Sequence, residues 1–270
     1  MRSKNKVCVD VRGMTIVIWN KHPGLNHMPL TWKIETNRYI GRLQALPVRI
    51  SEASSILSSL NMTLPRNFGG GVRTNLMVQL VLFNIGSLRA AHDLTKAAEL
   101  LFCKGIIASV CLQLRLLYEF WGATALASAL CDRVRDAANF EDAASLREVV
   151  IPVRRLVGGS RFAVKLPWGG ETNTKSFNIM NFIQHLEKYE PGTQNDYDFL
   201  CEACHPSYFQ QTYFWMAGSA GDNWNNDVFR EHAHTILEQL ILAGERATLG
   251  LIKATEHVTA VSKPFVVTAE

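Results

Sequence analysis

The sequence predicts a mainly α-helical bundle with long central and C-terminal helices and a small N-terminal β element. Three stretches carry that prediction. Asp93 to Leu130 has no proline and is too apolar to lie on a surface, so it reads as one long buried helix or two nearly continuous ones. Asp227 to His257 is long, amphipathic and equally free of proline. Residues 1–34, by contrast, alternate the short apolar runs VCVDV and MTIVIW with Gly13, Pro23, Gly24 and Pro29. That pattern permits a hairpin or an irregular arm and does not look helical.

Between these landmarks the elements follow from local signals. Glu35 to Leu60 reads as two short helical pieces divided at Pro47, which restricts Leu46 before it. Gly69 to Gly71 make a connection, and Asn75 to Ala91 is a further apolar helix with Gly86 in its middle. Asp93 is a candidate cap for the central helix. After Leu130 the chain turns charged and amphipathic, with Pro152, Gly158 and Gly159 bounding one or two shorter helices. Ser160 to Thr174 reads as an exposed loop. Thr174 is a candidate cap for the helix KSFNIMNFIQHLEKYE, which Pro191 and Gly192 stop. Asn195 or Asp196 opens YDFLCEACH, ended by Pro206, and Asp227 opens the final helix. The expected organisation is a basic arm over residues 1–34, one helical domain over 35–258 and a tail over 259–270.

With 47% hydrophobic and 19% charged residues among 270, the chain has enough apolar surface to bury for disorder to be excluded as its dominant state. The net charge of +4 is uneven. Residues 1–50 carry nine Lys or Arg against Asp10 and Glu35, and the remainder is slightly acidic. Such a lead-in can steer an anionic partner such as RNA, or be basic without a role. Six cysteines are spread through the chain, and the first basic residues are not followed by a secretory apolar region, because Asp10 and Arg12 break Val7 to Val11. A cytoplasmic protein with reduced, buried thiols is expected. Ala97 to Leu114 approaches membrane-spanning length, but Lys104 lies within it and Arg115 and Glu119 just beyond, so no integral membrane span is expected.

Arg115 and Glu119 are the leading candidate site. Four residues apart on a helix, they stand one above the other, on a stripe with the small residues Ala108, Cys111 and Gly122 that lets another element approach. Charges in so apolar a helix must be paired, and a third group such as His205 can join them. In a catalytic version His205 takes a proton and Arg115 stabilises an anion. In a structural version the same groups lock two helices together.

Cys201-Glu202-Ala203-Cys204-His205 matches the attachment pattern of c-type haem, but there is no export signal, a proline follows His205, and Met216 is only a formal distal ligand. Zinc on Cys201, Cys204 and His205, completed by His232 or His234, lacks the second compact pair of a closed site. Two thiols three apart on a helix are more simply a core-facing edge, and no cofactor is expected. Asp227, Arg230, Glu231, His234 and Glu238 read as a polar helix face with internal ion pairs. Nucleotide loops, His-Glu-x-x-His and Gly-x-Ser-x-Gly are absent. Trp121 is assigned to the core, while Trp168, Trp215 and Trp224 fall in irregular regions.

Three strings together resemble HEPN-like all-helical proteins: GIIASVCLQLRLLYEFWG at residues 105–122, YDFLCEACHP at residues 197–206, and the final amphipathic helix. The resemblance covers about residues 85–255. It implies a helical bundle that pairs with itself or another protein, and a polar network of Arg115, Glu119, Glu202 and His205. The wider group includes toxin and defence ribonucleases whose motif is an Arg, a short spacer and a His on one helix. This chain departs from that motif, since His232 and His234 follow Arg230 too closely and His92 follows Arg89 too closely. The functional expectation is therefore an interaction or regulatory component, with a bacterial defence system as its setting. The alternatives are a metal-independent ribonuclease using Arg115 and His205, and a metal-binding protein using Cys201, Cys204 and His205. Whether the chain is an enzyme stays open.

Overall fold

The structure, a computed structural model, describes residues 6–11, 14–19, 30–58, 71–104, 106–159, 164–165, 171–172, 175–204 and 226–266. The chain is a mainly α-helical bundle. Its helices are α1 (Leu30–Ser58), α2 (Val72–Cys103), α3 (Ile107–Asp136), α4 (Ala143–Ser145), α5 (Ile151–Gly158), α6 (Ile179–Tyr189), α7 (Thr193–Cys204) and α8 (Asn226–Val266). A π-helical stretch, Leu146–Val150, joins α4 to α5. Strands β1 (Lys6–Val11) and β2 (Met14–Trp19) form an antiparallel hairpin, with Lys6 opposite Trp19 and Val11 opposite Met14. Two residue pairs, β3 (Val164–Lys165) with β4 (Glu171–Thr172), cross the segment expected as a loop.

The central apolar stretch is two helices, and the break lies at Lys104. Lys104 and Ile106 both donate backbone N–H groups to Leu101 O, at 3.1 and 2.9 Å, and so close the end of α2. α3 then folds back along α2. Ala98 and Phe102 share one core cluster with Ile107, Val110 and Leu114, while Met77, Leu80 and Val81 share a second with Ala127, Leu130 and Val134. The start of one helix therefore packs against the end of the other. Asp93 does not cap anything, because α2 already runs from Val72 and Asp93 is an exposed residue inside it. No described helix is long and apolar enough to cross a membrane.

α8 runs alongside α3 in the same direction, since Gly244 meets Leu114 and Gly250 meets Trp121. It also runs with α1, which it meets at Leu46 and through ion pairs from Arg42. Pro47 does not divide α1. One lost backbone hydrogen bond is outweighed where Tyr39, Leu43, Leu46, Ile50 and Ala53 lay one continuous face into the core. Pro152 sits in the first turn of α5, where its missing N–H is least costly, and the helix ends at Gly158, as expected. α8 likewise carries Pro264 and continues to Val266, burying Val261 and Ser262, so residues 259–266 are helical where a tail was expected.

Two short helices lie on α3, and their ends are built with side-chain caps. α6 starts at Ile179, later than the expected Thr174, because Asn178 accepts the Met180 N–H at 3.1 Å and Asn181 accepts the Asn178 N–H at 3.1 Å. Phe177 before the cap packs against Phe182 with the rings tilted, their centroids 5.9 Å apart, which fixes how the chain enters. α7 starts at Thr193, ahead of the expected Asn195 or Asp196. Its open N–H groups are taken by Glu187 of α6, which accepts from Gly192 N–H at 3.0 Å and Gln194 N–H at 2.8 Å. Gly192 has φ +92°, the left-handed region that favours glycine. Those backbone hydrogen bonds hold the Glu187 carboxyl below its usual range.

Candidate functional site

The small-residue stripe of α3 is used as expected. A Cβ on Gly122 would stand 2.8 Å from Phe182 Cβ, so only glycine lets α6 approach so closely. With α6 fixed there and Glu187 capping α7, the inward face of α7 falls against Arg115 and Glu119.

The group that meets them is Tyr197. Arg115 Nε–H donates to the Tyr197 hydroxyl at 3.3 Å, and that hydroxyl donates to Glu119 Oε1 at 3.0 Å. Arg115 Nε lies 3.4 Å from the same Glu119 oxygen, closing a triangle, and the guanidinium also lies over the Tyr197 ring, 5.6 Å from its centre. The side chains of Arg115 and Glu119 are 27% and 16% exposed, so the pair is sheltered without being sealed. The hydrogen bond to Tyr197 raises Arg115 above its ordinary value, and burial pushes the Tyr197 phenol up to about 12. Both groups therefore keep one protonation state across neutral pH.

His205 lies outside the described residues, as do Met216, Trp168, Trp215 and Trp224. Glu202 is exposed and is not among the partners of Arg115. The helical period explains the difference: Tyr197, Cys201 and Cys204 recur on one face, and Glu202 points away from it. Cys201 and Cys204 pack against the core as partly buried side chains, and both are free thiols, as are Cys103, Cys111 and Cys131. Burial raises Cys201, and lifts Cys204 to about 11, despite the nearby Arg115 charge that favours thiolate. Thiols so placed are poor nucleophiles at neutral pH.

His234 does not join Cys201 and Cys204. It hydrogen-bonds through Nδ1 with the Tyr39 hydroxyl on α1, and the two rings stack at 5.8 Å. Among the described residues no three His, Cys, Asp or Glu side chains gather as metal ligands. Of the polar face expected to pair internally, Glu238 pairs outward, while the side chains of Asp227, Arg230 and Glu231 lie outside the described residues. Arg42 of α1 makes a two-pronged bond to Glu245, at 2.9 and 2.6 Å, and a third to Glu238 at 2.8 Å. Those bonds raise Arg42 and lower Glu238. The side chains of Arg230 and His232 are outside the described set.

A third network was not anticipated. Tyr118 O–H donates to Asp196 Oδ2 at 2.7 Å, and Arg246 Nη1 lies 3.0 Å from the same oxygen, tying α3, α7 and α8 together. Asp196 sits in the first turn of α7, where a carboxylate is favoured.

Set against protein-family models, curated proteins and solved structures, the chain matches none of them. The three networks and the surfaces around them are what a functional reading has to stand on.

Proposed function

We propose that this chain is a HEPN-like helical-bundle protein that works by interaction, as a binding or regulatory component of a bacterial defence system in the cytoplasm. In this reading Arg115, Glu119 and Tyr197 lock α7 onto α3, and the partner is another protein or a second copy. The observation that carries it is the closure of the triangle: the charge of Arg115 is answered by Glu119, and the one hydroxyl between them is occupied in both directions. A general base needs to exchange a proton near neutral pH. Tyr197, at about 12, and the raised Cys201 and Cys204 thiols are far from that range.

A metal-independent ribonuclease using Arg115 and His205 is the second reading, and one observation favours it. Arg115 uses only Nε within the network, so its two terminal nitrogens have no partner among the described residues and can meet a phosphate. One experiment separates the two. The full chain and its Arg115→Met variant are incubated with single-stranded and hairpin RNA, and thermal melts are recorded for both. The interaction reading expects no cleavage by either protein and a lower melting temperature for the variant. Cleavage that disappears in a variant melting like the parent overturns it.

A further inference from the structure

A cleft of about 400 Å³ opens beside the Asp196 network, between α3, α7 and α8. Its floor is Trp121, only 3% exposed, lying across Gly250. Indole Nε1 sits 2.4 Å from where a Cβ on Gly250 would stand, so the missing side chain both seats the ring and opens the cleft above it. Leu242 and Leu249, two turns apart on α8, line the cleft and are 50% and 45% exposed. Leucines left that open beside a buried tryptophan are apolar area waiting for a cover.

The polar groups are not balanced in the same way. Asp196 is answered by Tyr118 and Arg246, and Glu245 by Arg42. Among the other lining groups the Gln239 amide and the Glu190 carboxylate have no partner among the described residues, and two further donors stand at the Gly250 end of the cleft. The Trp121 N–H has no acceptor among the described residues, and the Lys253 ammonium has no partner there either. The Trp121 N–H is not one of the described groups that are sealed from solvent without a partner, so it is open to the cleft, where an indole N–H ordinarily finds an acceptor. Lys253 lies one turn beyond Gly250 on the same face of α8, so both donors serve the same end of the cleft.

We propose that this cleft binds a small apolar monocarboxylate, its carboxylate on Lys253 and the Trp121 N–H and its body along Leu242 and Leu249. The charge arrangement selects one negative charge rather than several. Glu190, Asp196 and Glu245 also line the cleft, and a phosphate or other polyanion held by Lys253 would face them. The site uses none of the groups in the Arg115 triangle, so it stands or falls independently of the interaction reading.

The test is calorimetric titration of the full chain with octanoate and phenylacetate, with octanol and inorganic phosphate as comparisons, repeated on Lys253→Met and Leu249→Glu. Lys253 and Leu249 are exposed, and a thermal melt confirms that each variant is folded. Saturable binding of a carboxylate is expected, weakened about tenfold or more by Lys253→Met, the weight of one charge-assisted hydrogen bond, and abolished by Leu249→Glu. No saturable binding of either carboxylate overturns the proposal. So does binding that Lys253→Met leaves unchanged, octanol binding as tightly as octanoate, or phosphate binding more tightly than both carboxylates.

Discussion

Replacing Gly250 with alanine sets two known effects of opposite sign against each other. In an unconstrained helix interior, Gly→Ala stabilises by about 1 kcal/mol, through reduced freedom of the unfolded chain and better helix propensity. At Gly250 the added Cβ would stand 2.1 Å from Trp121 Cε2 and 2.4 Å from Cζ2. A buried indole packed edge-on to Tyr118 at 5.5 Å cannot swing aside without disturbing that contact. Overpacking of this kind costs roughly 1–3 kcal/mol or more, and the contact is at the severe end. The net expectation is a loss of about 2 kcal/mol, a fall of roughly 4–8 °C in melting temperature for a domain of this size. Gly86→Ala in α2 is the control, because nothing stands within 4 Å of its Cβ position. It is expected to gain about 0.5–1 kcal/mol. Urea melts of both variants decide the matter. If Gly250→Ala is stabilised as Gly86→Ala is, α8 does not cross Trp121 at this distance and the placement of α8 on α3 is wrong.

Arg42→Met leaves Glu238 and Glu245 without their shared cation; since all three side chains are a quarter or more exposed, the expected loss is about 1 kcal/mol and shrinks in high salt, as urea melts at two salt concentrations will show. Burial holds the half-buried His185 below its ordinary value, so as pH falls through about 6.5 the unfolded chain takes the proton first. Stability contributed by the neutral ring is present above that pH and lost below it, and His185→Gln should flatten the fall in melting temperature between about pH 7 and about pH 5. Burial also raises the Cys111 thiol and pushes Cys131 up to about 12, whereas Cys103 is exposed. Brief alkylation followed by mass spectrometry should mark Cys103 in the native protein, and Cys111 and Cys131 only after unfolding.

The long helices were legible because burial writes a period into them, and the errors fall where a local signal was weighed without its packing. Pro47 looked like a boundary because nothing in residues 35–60 says that Leu43, Leu46 and Ile50 are all buried on one face. Asp93 looked like a cap because the helix before it had been ended at Ala91, although Leu88, Ala91, Thr95 and Ala98 pack as one line. The pairing of Arg115 with Glu119 needed only the i, i+4 spacing. Tyr197 was harder, as a contact across 82 residues leaves no periodic trace. A usable signal did exist: Tyr197 shares a helical face with Cys201 and Cys204, while Glu202 does not. Arg42 was passed over as one charge in a basic lead-in, though Glu238 and Glu245, seven apart on the last helix, already called for a cation between them.

The account rests on Arg115, Glu119 and Tyr197 acting as one interhelical lock. A double-mutant cycle on Arg115→Met and Tyr197→Phe, read by urea unfolding of the full chain, measures that directly. A charge-assisted hydrogen bond contributes roughly 1.5–3 kcal/mol; with Arg115 27% exposed, the expected coupling is about 1 kcal/mol. Coupling near zero, with each single variant as stable as the parent, would mean the two side chains do not hold α7 to α3.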